Sequence, residues 1–158
     1  MDSQHTQVRR EILDADTFRL SAGGCTFTYK RLKPGALLLT ISGDDVGQFG
    51  AATLDEINAE FERFGAITLF VDTRSAVGPS TPVMQAWTAY FAANRKKLKS
   101  VDILILPESK LLHLTVSIVH HLSGLGGLLH IFSNLSNFHA AIRNEVPSYD
   151  RTAGFTPT

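Results

Sequence analysis

The side chains best able to do chemistry cluster between positions 72 and 81: Asp72, Thr73, Arg74, Ser75, Ser80 and Thr81. They follow an apolar run, Ile67 to Val71 (ITLFV), and end just before Pro82. That order places them after the carboxyl end of a buried strand and before a helix N-terminus. Open α/β sheets bind ligands at such joints, and the free N–H groups of a first helical turn favour an anion. A phosphate on Thr73 or Ser75 would bring about −1.5 to −2 charges beside Arg74 and the helix dipole. The competing reading is structural, with Asp72 accepting backbone N–H bonds and the hydroxyls acting as caps.

A second set lies further along. His113, Ser117 and His120 are spaced i, i+4 and i+7, so they share one stripe of a helix predicted from Ser109 to about Leu122. Two turns separate His113 from His120, about 10 Å along the axis, too far for one metal. The adjacent His120 and His121 diverge by about 100° and do not chelate, so no metal site is expected. The apolar positions Leu111, Leu112, Leu114, Val116, Ile118, Val119 and Leu122 cover more than one face of that helix. One stripe suffices to pack on a sheet, so the excess points to a second contact: a neighbouring helix, a dimer mate or an apolar ligand. His113, Ser117, His120 and His121, with Trp87 and Tyr90 of the preceding helix, are therefore the candidates for an interface or ligand pocket. For Trp87 and Tyr90 the alternative is ordinary core.

Positioning these groups requires alternating elements. Glu11 to Leu20, Cys25 to Arg31 and Ala36 to Ile41 read as strands, separated by the turn signals Ser21–Gly24 and Lys33–Gly35. Thr53-Leu-Asp-Glu56 reads as a capping box opening a helix with Leu54, Ile57, Phe61 and Phe64 on one face and Gly65 as its stop. A second helix is expected from Thr81-Pro82 through Leu98, with Thr81 as N-cap and Arg95, Lys96 and Lys97 in its last turn. Val101 to Leu106 and Leu128 to Phe132 complete the strands, and Asn134 or Ser136 starts a last helix ending near Asn144. The sequence thus predicts one α/β domain over residues 11–144. It comprises a mixed, mostly parallel sheet with an N-terminal hairpin and about four helices. Residues 1–10 and the aperiodic tail 145–158 are expected to be mobile.

Composition narrows the function classes. In 158 residues, 15 Lys plus Arg balance 15 Asp plus Glu. A net charge of zero argues against nucleic acid and anionic membrane surfaces. The single cysteine, Cys25, excludes an internal disulfide and a CxxC pair. The polar N-terminus has no apolar core of a secretory leader, so a cytoplasmic location is expected. Leu111 to Ile142 contains no Asp, Glu, Lys or Arg, yet its histidines and glycines interrupt it too often for stable membrane insertion. No G-x-S-x-G elbow, P-loop or G-x-G-x-x-G is present, so no catalytic residue and no cofactor is expected.

The segment Leu69-Phe-Val-Asp-Thr-Arg-Ser75 and the ending His130-Ile-Phe-Ser-Asn-Leu-Ser-Asn-Phe-His-Ala-Ala-Ile142 carry a family resemblance. In these joints and in element order, the stretch from about Ile12 to Ile142 resembles the STAS domain, the fold of SpoIIAA-like anti-sigma-factor antagonists. The resemblance implies a non-enzymatic regulatory module that presents the joint after the strand to a protein partner, with a Ser or Thr there phosphorylated by a kinase. The family joint reads Asp-Ser/Thr-Ser/Thr-Gly; here Asp72 and Thr73 fit, Arg74 replaces the second hydroxyl and Ser75 the glycine. An extra stretch, Ala76 to Ser80, delays the next helix. Two other readings stay open. One is a binder of a hydrophobic small molecule or lipid, as in the similar SEC14-like domains. The other is a small enzyme built on Asp72, Arg74 and a histidine of the predicted 109–122 helix. Expected partners are therefore a protein, a second copy of the chain, or a hydrophobic ligand.

Overall fold

The computed structural model describes residues 7–78, 80–109 and 127–149. In chain order the elements are β1 (Arg9–Asp14), β2 (Thr17–Ala22), β3 (Cys25–Lys33), β4 (Ala36–Gly43), α1 (Ala52–Phe64), β5 (Ile67–Ala76), α2 (Thr81–Ala93), a short 3-10 turn (Arg95–Lys97), β6 (Leu98–Leu104), β7 (Leu129–Phe132) and α3 (Leu135–Glu145). The strands form one sheet in sequential order, β1 to β7. Pairs β1/β2, β2/β3 and β3/β4 are antiparallel, and β4/β5, β5/β6 and β6/β7 are parallel. This is an α/β fold with an evenly mixed sheet. The expectation of a mostly parallel one missed a strand at the N-terminal edge.

That strand arises because Glu11 to Leu20 is two strands, not one. The Asp14 side chain accepts the Asp16 N–H at 2.9 Å, an Asx turn that folds the run into a hairpin. The next turn, Gly23-Gly24, has φ of 52° and 79°, the left-handed pair a two-residue hairpin needs. Crossovers of one hand that step the same way across a sheet carry their helices to the same face. Accordingly, α1 (Ile57, Phe61) and α2 (Phe91) pack together on Leu37, Leu39, Ile67, Leu69, Val71, Val101 and Ile103. On the opposite face α3 packs Phe138 and Ile142 on Ala36, Leu38, Phe70 and Leu104. β4 and β5 are covered on both sides, which is why their sequences read as unbroken apolar runs. Val146 and Tyr149, in the tail expected to be mobile, are buried in that second cluster.

Three helix ends differ from expectation. The Thr53–Glu56 capping box does not form: α1 starts from a helical turn at Ala51 with no side-chain cap. Thr53 is buried inside the helix, and Glu56 instead receives Arg10 of β1, Nε to Oε2 2.8 Å. The cap of α2 is Ser80, not Thr81, its Oγ accepting the Val83 N–H at 3.4 Å. α2 also stops at Ala93, where the Asn94 side chain donates to the Tyr90 carbonyl at 2.8 Å. Leu98 is thereby freed to enter β6 beside Ile67, and Arg95, Lys96 and Lys97 fall in the connecting turn. Gly65 does end α1, with φ 78° and its N–H bonded to Phe61. Among the described residues there are three α-helices; the predicted helix over 109–122 lies outside them beyond Ser109.

Candidate ligand cavity and docking face

The segment read as a loop from Asp72 to Thr81 is mostly strand. β5 continues to Ala76 because β4 runs alongside it as far as Gly43, pairing Ser42 with Ser75 and Gly43 with Ala76. The two-residue period of a strand then separates Asp72 from Thr73. Asp72, 2% exposed, lies on the α3 side, parity with Phe70. Its carboxylate takes the Arg74 guanidinium as a fork, Nε–Oδ1 3.1 Å and Nη2–Oδ2 3.0 Å, and also the Arg74 N–H at 3.0 Å. Thr73 lies on the α2 side, buried, with its hydroxyl donating to the Leu104 carbonyl at 2.6 Å. Asp72 thus locks the end of β5 and Thr73 ties β5 to β6. Arg74, Ser75 and Thr81 are exposed, and Ser80 is half-buried at the cap.

The side of β5 that carries Thr73 opens on a cavity of about 70 Å³ beneath α2. Phe27, Ile41, Gly43, Val71, Thr73, Ala76, Ile103 and Ile105 form its floor, and Val83, Met84, Trp87 and Phe91 of α2 its roof. The space exists because small residues, Gly43, Thr73 and Ala76, meet the bulky roof where β4 and β5 end. Trp87 stacks on Phe27 at 6.0 Å between ring centres and meets Phe91 edge-on at 5.7 Å, so its indole is held in place. Two hydrogen bonds join the strand ends around the rim: Val77 N–H to Gly43 O at 2.8 Å and Ser80 N–H to Asp45 O at 3.0 Å.

Among the described residues, Asp45 is the one carboxyl on the cavity wall, 5% exposed. Its Oδ1 accepts the Gly47 N–H at 3.0 Å, a residual support for the charge. Burial nevertheless pushes its pKa up, with Asp44 adding to the rise. A carboxyl whose pKa is higher folded than unfolded weakens the fold as pH rises through the folded value and ceases to do so on acidification. Asp45→Asn keeps the acceptor for Gly47 and removes the charge. It should melt higher than the wild type at pH 7, with the gap closing toward about pH 4. Thermal melts at both pH values check this, and an equal gap at both would refute it.

Of the two aromatic candidates, only Trp87 lines the cavity. Tyr90 turns to α1, stacking on Phe61 at 6.4 Å and donating its hydroxyl to Asn58 Oδ1 at 2.7 Å; burial raises its phenol. His113, Ser117, His120 and His121 lie outside the described residues. Cys25 is fully buried and its thiol is pushed up to about 12, chiefly by desolvation, so it is protonated at neutral pH and poorly nucleophilic.

One polar cluster was not foreseen. Asp102 of β6 pairs in register with His130 of β7, and His130 Nδ1 lies 2.9 Å from Asp102 Oδ1 and 3.2 Å from Ser100 Oγ. Ser100 also donates to Asp102. A catalytic triad is a chain in which histidine uses different nitrogens for serine and aspartate. Here the three groups close a triangle on Nδ1, which leaves the serine unactivated and ties the edge strand to its neighbour. The signal available was the i, i+2 spacing of Ser100 and Asp102, legible only once β6 was known to begin at Leu98.

The outer side of α2 is the other notable feature. Thr81, Pro82, Gln85, Ala86, Ala89 and Ala93 are its exposed positions, and the helix carries no charged residue at all. Beside its N-terminus stand two exposed valines, Val77 at 71% and Val46 at 62%. They sit in the two loops joined by the Val77–Gly43 and Ser80–Asp45 bonds.

Together these features define a small α/β domain with an apolar cavity under one helix and an uncharged face on top of it. No described helix is long and apolar enough to cross a membrane. Neither a family model nor a curated protein matches the sequence.

Proposed function

We propose that the protein is a non-enzymatic, STAS-like regulatory module that docks a protein partner on α2 and the adjoining loops, tuned by phosphorylation at Ser75 or Thr81. The observation that carries this reading is the uncharged outer face of α2 continued by exposed Val77 and Val46. A solvated helix of a small domain normally shows charge on its outer side; a face without it is what the centre of a protein interface looks like. The strand-to-helix joint that resembles the STAS pattern, Leu69 to Ser75, leads into this helix through the extra stretch 76–80. Of the hydroxyls there, Ser75 and Thr81 are exposed, whereas that of Thr73 is buried and bonded. The partner's complementary patch is apolar, with cations at its rim opposite exposed Asp44.

Val77→Asp and Ala89→Glu test the docking face. Both sites are exposed, so each change should leave the melting temperature nearly unaltered, within about 0.5 kcal/mol of stability. Each should weaken a native partner by about tenfold or more in a titration, because a charge is forced into the centre of the interface. Ser75→Glu should move the same affinity. A partner, or a second copy of the chain, that binds both charged variants as well as the wild type would place the interface elsewhere.

A further inference from the structure

We infer that the cavity beneath α2 is a binding site for one compact hydrocarbon group, a single ring or a short alkyl segment, either a free small molecule or the end of a lipid tail. Three observations carry this inference, and none depends on the docking face. The first is position: the cavity lies where β4 and β5 end and α2 begins, the end of a parallel sheet at which α/β folds take ligands. The second is chemistry. Val71, Ile103 and Ile105 of the floor and Val83, Met84 and Trp87 of the roof offer carbon surface. Of the two polar side chains described on the wall, the Thr73 hydroxyl already donates to Leu104 and the Asp45 carboxyl already accepts the Gly47 N–H. A ligand polar group would find little to bind there, whereas a hydrocarbon exchanges water contact for dispersion contact on every side. The third is size. An apolar cavity of about 150 Å³ is known to stay dry and take up benzene. This one, at about 70 Å³, has room for only part of such a molecule, so a ring must lean into the rim or push Met84 aside. Methionine has the unbranched, adaptable side chain that permits this. A whole lipid does not fit; one end of its tail does.

The chain supplies its own reporter, because its one tryptophan is Trp87, in the cavity roof. Toluene titrated into the full-length protein should change Trp87 emission saturably, with half-saturation at about 1 mM, the range open to so small a ligand. Ala76→Leu fills the cavity from the strand side and Val83→Phe from the helix side; each should weaken the toluene response by about tenfold or more. Ligand-detected NMR on the wild type, which needs no variant, should show contacts from toluene to the indole and to isoleucine methyls. Oleate in place of toluene separates the two sources. Competition between them assigns the site to the end of a lipid tail, and saturation by toluene without competition assigns it to a small molecule. A toluene response that stays linear, or that persists unchanged in a folded Ala76→Leu or Val83→Phe protein with no contact to the indole, overturns the inference. Failure of the docking variants leaves each of these outcomes as it stands.

Discussion

Arg31→Met should destabilise the fold by about 3–5 kcal/mol, as expected when one partner of a buried ion pair is removed and the other charge stays behind. Glu60 of α1 is that other charge, with a side chain only 5% exposed. Arg31 of β3 reaches it with two bonds, Nε–Oε1 3.1 Å and Nη2–Oε2 2.5 Å. It also lies over the Phe64 ring at 5.0 Å and within 3.6 Å of Asp16. With Met in place, the Glu60 carboxylate would have no described cation left to face. The double variant Arg31→Met/Glu60→Leu removes both charges and should recover most of the loss, because the desolvation cost goes with them. Arg10→Ala, which breaks the more exposed Arg10–Glu56 pair, should cost only about 0–1 kcal/mol. Urea titration of the four proteins checks the ranking. A loss for Arg31→Met no larger than that for Arg10→Ala would mean that Glu60 is solvated after all.

This pair also shows what a sequence does and does not carry. The capping-box reading of Thr53 and Glu56 failed because the helix starts at Ala52, ahead of Thr53, which puts Glu56 in its second turn, where the tertiary arrangement brings Arg10 within reach. The same holds at Asp72. Its position before a helix matched a ligand-binding joint, but β5 runs on to Ala76 because β4 lies beside it, and pairing across strands outweighs local turn chemistry. What was legible came from periodicity and local turn chemistry: the apolar runs of β4, β5 and β6, the turn at Gly23-Gly24, the stop at Gly65 and the start of α3 at Asn134, one of the two starts expected with Ser136. These depend on neighbours in the chain. The cavity does not. It requires Gly43, Thr73 and Ala76 from two strands to face Met84 and Trp87 of a helix, and its traces in the sequence were Trp87 among the pocket candidates and Thr73 among those of the strand-to-helix joint. Asp45 left no trace, since a carboxylate in a loop reads as solvated until burial is known.

Gly43→Ala should cost about 3 kcal/mol or more, the second large effect, and it joins stability to the cavity. Gly43 has φ of 95°, a conformation in which a side chain is strained by about 1–3 kcal/mol. A Cβ there would also lie 2.3 Å from the Gly24 carbonyl oxygen and 3.0 Å from Cys25 Cα. Both are backbone atoms of the hairpin between β2 and β3, so neither can swing aside as a side chain tip would, and overpacking adds about 1–3 kcal/mol. Gly50→Ala isolates the first term: its φ of 57° is also left-handed, but nothing lies within 4 Å of the added carbon, so about 1 kcal/mol is expected. The difference between the two variants measures the contact between the end of β4 and the Gly24 turn. Because the Gly43 carbonyl accepts the Val77 N–H, any movement of β4 away from Gly24 is passed to the segment that leads into α2. Gly43→Ala should therefore alter the emission of Trp87 as well as the urea midpoint, whereas Gly50→Ala, which does not line the cavity and whose added carbon meets nothing, should shift the midpoint alone. A Gly43→Ala protein as stable as Gly50→Ala, with unchanged tryptophan emission, would show that the hairpin yields without cost and that the cavity rim is not held by it.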